Sequence, residues 1–141
     1  MAPKVRLPAQ LNDLGKSSLP GLVGLEITAS SDRRIEGRLQ VRPDLLAPNG
    51  YLHAATVIAL ADTCCGYGTV NSLPDGAVGF TTIELKTNFL GTVLDGSIHC
   101  IAEAKHRGRS TQVWDATVTG GDPTRDLAHF RCTQLVLWPR A

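Results

Sequence analysis

One long apolar stretch set among six segments of alternating polarity predicts an α+β fold, an antiparallel sheet of five to six strands wrapped around a single helix. Three observations carry this. The stretch Ala54 to Val70 (AATVIALADTCCGYGTV) has no polar stripe, and a helix of that kind needs cover on most sides. The segments on either side follow the two-residue period of strands with one wet face. The strands after the helix are joined by short Gly-rich turns, which pair neighbours antiparallel.

The chain has 141 residues, the size of one domain, and buries roughly 70% of its unfolded surface on folding. The core is expected over about residues 20–138, preceded by an N-terminal segment, 1–19. Hydrophobic residues make up 43% and charged residues 19%, a globular balance. A net charge of +1 supports neither a nucleic-acid surface nor a polybasic membrane anchor. The first 20 residues hold no apolar signal segment, and Asp, Thr and Gly in the long helix argue against a bilayer span. Cys64, Cys65, Cys100 and Cys132 lack CxxC spacing, so they read as free thiols in a reducing cytoplasm rather than metal ligands.

In order, Pro8 to Gly15 suits a short surface helix, and Leu22 to Ala29 a strand. Arg34 to Arg42 alternates cleanly, with Ile35, Gly37, Leu39 and Val41 on one face. Pro43 to Gly50 holds two Pro and an Asn-Gly and leads as a loop into the helix, about His53 to Asn71. After the loop Ser72 to Gly76, Val78 to Leu90 alternates through Ile83, Leu85 and Phe89. Gly96 to Lys105 alternates through Ile98, Cys100, Ala102 and Ala104. Ser110 to Thr119 aligns Trp114, Ala116 and Val118, and Asp126 to Trp138 aligns Ala128, Phe130, Cys132, Val136 and Trp138. His106 to Arg109 and Gly120 to Thr124 are the hairpin turns between them.

Asp62 is the only acid or base in the apolar helix. Burying a lone carboxylate costs several kcal/mol or drives its pKa upward, so its place there calls for a use. A buried acid satisfied by backbone donors is the plainer reading. The turn Asn49-Gly50-Tyr51-Leu52-His53 in front of the helix favours a functional one, because it sets an imidazole at the helix start.

Gly50-Tyr51-Leu52-His53-Ala54-Ala55, followed by Leu60-Ala61-Asp62-Thr63, resembles the phenylacetate-pathway (PaaI-like) branch of the hot-dog acyl-CoA thioesterases. Thr82 to Leu90 resembles that family's next strand, and His106 to Thr111 its later hairpin turn, so the likeness spans about residues 20–137. The chain departs from the pattern in two places. Ala54-Ala55 replaces a Gly-Gly after the His, and Ala47 stands where the family often has Asn, with Asn49 two positions later.

The resemblance implies hydrolysis of an acyl-CoA, aryl or short to medium chain, with coenzyme A as part of the substrate and neither metal nor redox cofactor. Asp62 would then be the nucleophile or the general base. The N–H of Ala54, at the positive end of the helix dipole, would receive the oxyanion, with His53 orienting the thioester or fixing the turn. Thr82 would hold the attacking water, and Asn49 would reach the carbonyl or simply shape the turn. Arg107, Gly108 and Arg109 form a guanidinium-bearing turn suited to coenzyme A phosphates.

Nine helical residues separate His53 from Asp62, which sets them about 180° apart around the axis and ~13–14 Å along it. One carbonyl does not easily reach both within a subunit. A homodimer is therefore expected, with Asp62 of one chain facing the helix start of the other, and the resemblance points on to a dimer of dimers. Two other classes fit the fold: a hydratase or dehydratase of acyl thioesters, and an acyl-CoA-binding module without turnover.

Overall fold

In the computed structural model, which describes residues 5–141, the apolar stretch is helical from Ala54 to Val70. Chain order is α1 (Pro8–Gly15), α2 (Leu19–Val23), β1 (Leu25–Ser30), β2 (Arg34–Gln40), α3 (Ala54–Val70), β3 (Gly79–Phe89), β4 (Ser97–Arg107), β5 (Thr111–Gly120) and β6 (Arg125–Leu137). The strands form one sheet in the order β1-β2-β4-β5-β6-β3, antiparallel at every pairing. α3 packs against all six strands, which is the expected hot-dog arrangement. Residues 1–4 of the expected N-terminal segment lie outside the described residues.

The inward faces are the ones that alternation predicts. Ile35 and Leu39, Ile98 and Ala102, Trp114 and Val118, and Ala128 and Cys132 are all buried against α3 or its neighbours. Contact is closest at Gly68, where an added Cβ would run into the Trp114 indole. The absent side chain lets the helix settle onto the largest core residue. The four cysteines are buried free thiols.

Three expectations need correction. The strand expected from Leu22 begins at Leu25, because Leu19–Val23 is a helical turn with Pro20 near its start and Gly24 closing it at φ 78°. Ile83 does not share a face with Leu85 and Phe89. The β3–β6 register shifts between Thr82 and Glu84, so Phe80, Thr82, Leu85, Thr87 and Phe89 oppose the inner-face residues of β6, and Ile83 is displaced. His106 and Arg107 belong to β4, leaving a tighter turn closed by Gly108 N–H donating to Thr111 O at 2.8 Å.

The two sheet edges differ. At β1, the Asn12 side chain accepts the Ile27 N–H at 2.7 Å and donates to the Ile27 carbonyl at 3.1 Å, so α1 covers that edge. At β3, the last strand on the other side, no further strand pairs among the described residues. Leu85 and Phe89 are 42% and 47% exposed although they oppose the inner face of β6.

Candidate active site

The loop before α3 holds the helix tip rigidly. Leu46 and Leu52 form an isolated bridge, Ala47 N–H donates to Tyr51 O at 2.7 Å, and His53 N–H donates to Leu45 O at 3.2 Å. Gly50 takes φ 89°, a conformation that disfavours residues with a side chain. Thr56 Oγ1 closes the loop from the helix side by donating to Leu45 O at 2.9 Å.

His53 is the N-cap of α3. Its Nδ1 accepts the Ala55 N–H at 2.9 Å, and its carbonyl accepts from Thr56 and Val57 at 3.0 and 3.4 Å. Among the free N–H groups of a helix start, the cap therefore takes all but the first. The Ala54 N–H has no partner among the described residues and faces an exposed surface at the positive end of the dipole. An acceptor role at Nδ1 places the proton of the neutral imidazole on Nε2.

Asp62 lies on the partly open face of α3, with Ile58, Ala59 and Thr63 also only half covered. Its Oδ1 is shielded from solvent and has no hydrogen-bond partner. Burial pushes its pKa above the ordinary carboxylate range, with no ion pair to offset the cost. Gly66, one turn further on, borders the Phe80 ring of β3, so this face of α3 runs alongside the open edge strand.

On β3, Thr82 Oγ1 donates to Gln134 Oε1 of β6 at 2.6 Å, which leaves the hydroxyl lone pairs to accept. Gln134 is wholly buried and its Nε2 has no partner. Sequence reasoning missed Gln134. The signal was available, because it interrupts the apolar run Cys132, Gln134, Val136 on the inner face of β6.

The remaining candidates fall elsewhere. Asn49 spends its side-chain oxygen on the Tyr51 N–H, 3.2 Å away on an exposed turn, which is the turn-forming role. Arg107, Gly108 and Arg109 border a cleft of about 400 Å³ with Ser72 and Trp138, just past the C-terminus of α3. There Arg107 pairs with the Asp32 carboxylate at 3.0 Å, and the Arg109 guanidinium stacks 4.1 Å from the Trp138 ring centroid. α3 spans about 25 Å, so this turn and the helix tip stand at opposite ends of the chain's own helix.

Beside Ala54 a second cleft of about 280 Å³ is lined by Tyr51, Leu52, Val57, Phe89, Gly91, Thr92 and Leu127. It was not anticipated from sequence, because its walls come from three separate stretches of chain, 51–57, 89–92 and Leu127.

Comparison with known proteins agrees with this architecture. Residues 49–126 match the family model described as the thioesterase superfamily. A 1,4-dihydroxy-2-naphthoyl-CoA hydrolase from Listeria monocytogenes is 32% identical over 112 residues, covering 79% of this chain and 89% of that protein. A crystal structure of a mutant thioesterase from Pseudomonas aeruginosa superposes with a TM-score of 0.87 at 26% identity, covering 94% of each chain. A thioesterase structure from Haemophilus influenzae gives 0.87 at 26% identity, over 97% of this chain and 95% of that one.

Proposed function

Because the chain belongs to the thioesterase superfamily and is a thioester hydrolase, we propose that it cleaves acyl-CoA to a carboxylic acid and free coenzyme A, with Asp62 as its base. The observation that carries this reading is the carboxylate itself, with one oxygen shielded and unpartnered on the open face of an otherwise apolar helix. A group so placed is poised to take a proton, since burial already favours its protonated form.

In the proposed reaction a water donates one hydrogen bond to Asp62 and the other to the lone pairs of Thr82, whose own hydrogen is committed to Gln134. That orientation turns the water's lone pair toward the thioester carbonyl. Attack forms the C–O bond while the proton passes to Asp62, and the Ala54 N–H takes the oxyanion. Collapse breaks the C–S bond, and Asp62 returns the proton to the leaving thiolate. Water and the chain's own groups supply every atom. The committed Thr82 hydrogen favours this route over direct attack by the carboxylate, which would leave the water-orienting pair without a task.

The active assembly is proposed as a homodimer. Asp62 lies eight residues beyond Ala54, ~12 Å along α3 and about a quarter-turn round it, too far for one thioester carbonyl and its attacking water to span, so the two groups are proposed to meet across a pair of chains. The open β3 edge and its exposed Leu85 and Phe89 supply a self-complementary seam of the kind that two-fold dimers bury. Asp62 to Ser72 spans about 15 Å along the helix axis, on the order of an extended pantetheine arm. Coenzyme A phosphates would then lie on Arg109 and Arg107 of the chain that supplies Asp62.

The test is thiol release from an aryl- and alkyl-CoA panel by wild type and Asp62→Asn. Turnover by wild type with loss of about 10²-fold or more in the variant supports the assignment. Retained turnover in Asp62→Asn removes the acid from it.

A further inference from the structure

Resting on that reading, we infer that Gln134 is a positioning residue for Asp62. Its free amide N–H holds a resident water against the shielded Oδ1, which leaves Oδ2 to the attacking water and the thioester. The reaction described above uses only the oxygen end of this buried side chain.

Distance decides which end of the amide faces Thr82. At 2.6 Å the contact with Thr82 Oγ1 has the length of a hydroxyl-to-oxygen bond and is short for an amide N–H donor, so Gln134 Oε1 takes that side. Nε2 is then a buried donor without a partner, and the sheet offers it none. Its register neighbour on β5, Gln112, has its oxygen taken by the donor-only Trp114 indole at 2.8 Å and its own amide bound to Ser72 O at 3.1 Å. Thr87, whose buried hydroxyl is also unpartnered, opposes Phe130, four residues and ~13 Å along β6. The acceptor therefore has to come from α3.

Two contacts set Asp62 at that level. Gly66 borders the Phe80 ring and Val57 shares a cleft wall with Phe89, so α3 from Gly66 back to Val57 runs alongside β3 from Phe80 to Phe89. Asp62 lies between them and is turned only about 40° from Gly66 around the axis, which brings it beside the middle of β3, where Thr82 and Leu85 face inward. Gln134 is the residue opposite Thr82. Asp62 Oδ1 and Gln134 Nε2 are thus a shielded acceptor and a shielded donor on facing elements, beyond direct hydrogen-bond range of each other. One water bridges such a gap by accepting from Nε2 and donating to Oδ1, and two polar partners suffice to hold it.

The bridge offsets the cost of burial, because a donor on Oδ1 favours the ionised carboxylate, the form a base needs. No cation on the facing elements does this. The inward residues of β3 carry no charge, and Glu84 and Lys86 oppose Thr133 and Arg131 on the outer face. The titratable groups left are the thiols of Cys132 on β6 and, three residues on from Asp62, Cys65, neither of which bears a positive charge.

A crystal structure of the wild type tests the bridge directly, and should show an ordered water within about 3.2 Å of both Gln134 Nε2 and Asp62 Oδ1. Its effect is read in a Thr82→Val background, where no Thr82 hydroxyl can turn toward the acid. From Thr82→Val to Thr82→Val/Gln134→Met, the pH midpoint of kcat/KM should rise by about half a unit or more, measured with the acyl-CoA that wild type cleaves fastest. The titration of the Asp62 carboxyl carbon by NMR, assigned by its loss in Asp62→Asn, should move upward in the same pair without any turnover. A role in packing alone would lower kcat and leave both midpoints in place. Midpoints unchanged within about 0.2 unit, or the lack of that water, would overturn the inference. Were no thioester cleaved by wild type, the hydrolase reading would fall, and the carboxyl titration and the water would still decide the role of Gln134. Should the double variant not fold, the wild-type crystal structure decides it.

Discussion

His53 Nδ1 accepts the N–H of Ala55 at 2.9 Å, and that one bond leaves the neighbouring N–H of Ala54 as the open donor of the helix tip. The imidazole thus acts on the backbone, completing the cap and aiming the donor beside it. Proline at Ala54 tests this directly. It deletes the N–H, yet it suits the first helical position, and His53 already has the extended φ −66°, ψ 136° that a following proline requires. Ala54→Pro should lower kcat about 10²–10³-fold while the melting temperature stays within about a few degrees. Thiol-release kinetics and thermal melting read the two effects separately.

Subunit sharing has its own signature. Mixing unfolded Ala54→Pro and Asp62→Asn chains and refolding them together should restore activity, because one site of each heterodimer regains both groups. Half the dimers are mixed and each has one intact site of two, so recovery should approach about a quarter of wild type. Recovery no greater than the sum of the parents would place both groups within a single chain. Leu85→Glu, which puts a charge on the open edge, should produce monomers by sedimentation and abolish turnover.

The raised pKa of Asp62 fixes the direction of the pH response. As a base it works only when ionised, so kcat/KM should climb with pH through a midpoint above the ordinary Asp value of about 3.9. The stability effect has the opposite sign. Below the unfolded-state pKa both states carry the proton and burial costs nothing extra. As pH rises through the folded-state value, the native state alone bears a desolvated charge and loses stability. Asp62→Asn should therefore melt higher than wild type at neutral pH, by about a few degrees, with the gain vanishing in acid. Differential scanning calorimetry across pH checks this.

Thr82 separates an orienting role from strand propensity. Thr82→Ser keeps the hydroxyl and its bond to Gln134, and should retain most activity. Thr82→Val keeps the branched shape without the hydroxyl, and should reduce kcat about tenfold or more with little change in KM. Equal loss in both variants would indicate a packing role.

The core makes a prediction independent of catalysis. Gly68→Ala places a methyl against the Trp114 indole and should destabilise the fold by about 1–3 kcal/mol, read as a lower denaturant midpoint.

Local pattern made much of this protein legible. Alternation in Arg34 to Val41 and in Ile98 to Ala104 placed the buried faces correctly, because a two-residue period is a property of the chain itself. A lone acid in an apolar helix marked Asp62 for the same reason. Ile83 misled, because a bulge is set by the partner strand and leaves no trace in the alternation of one segment. The pairing of Arg107 with Asp32, 75 residues away at 3.0 Å, likewise leaves no mark in the local pattern around either residue.

What the amino-acid order determined by itself was the helix with its single carboxylate, the capped tip nine residues before it, and the strands that enclose both. Periodicity, capping and hydropathy act over a few residues, so they can be read along the chain. Tertiary structure alone decided that Thr82 is tied to Gln134, that β3 is left open while Asn12 closes β1, and that Tyr51, Phe89, Gly91 and Leu127 meet in one cleft. Those are contacts between residues tens of positions apart, set by how the sheet orders and registers its strands around the helix.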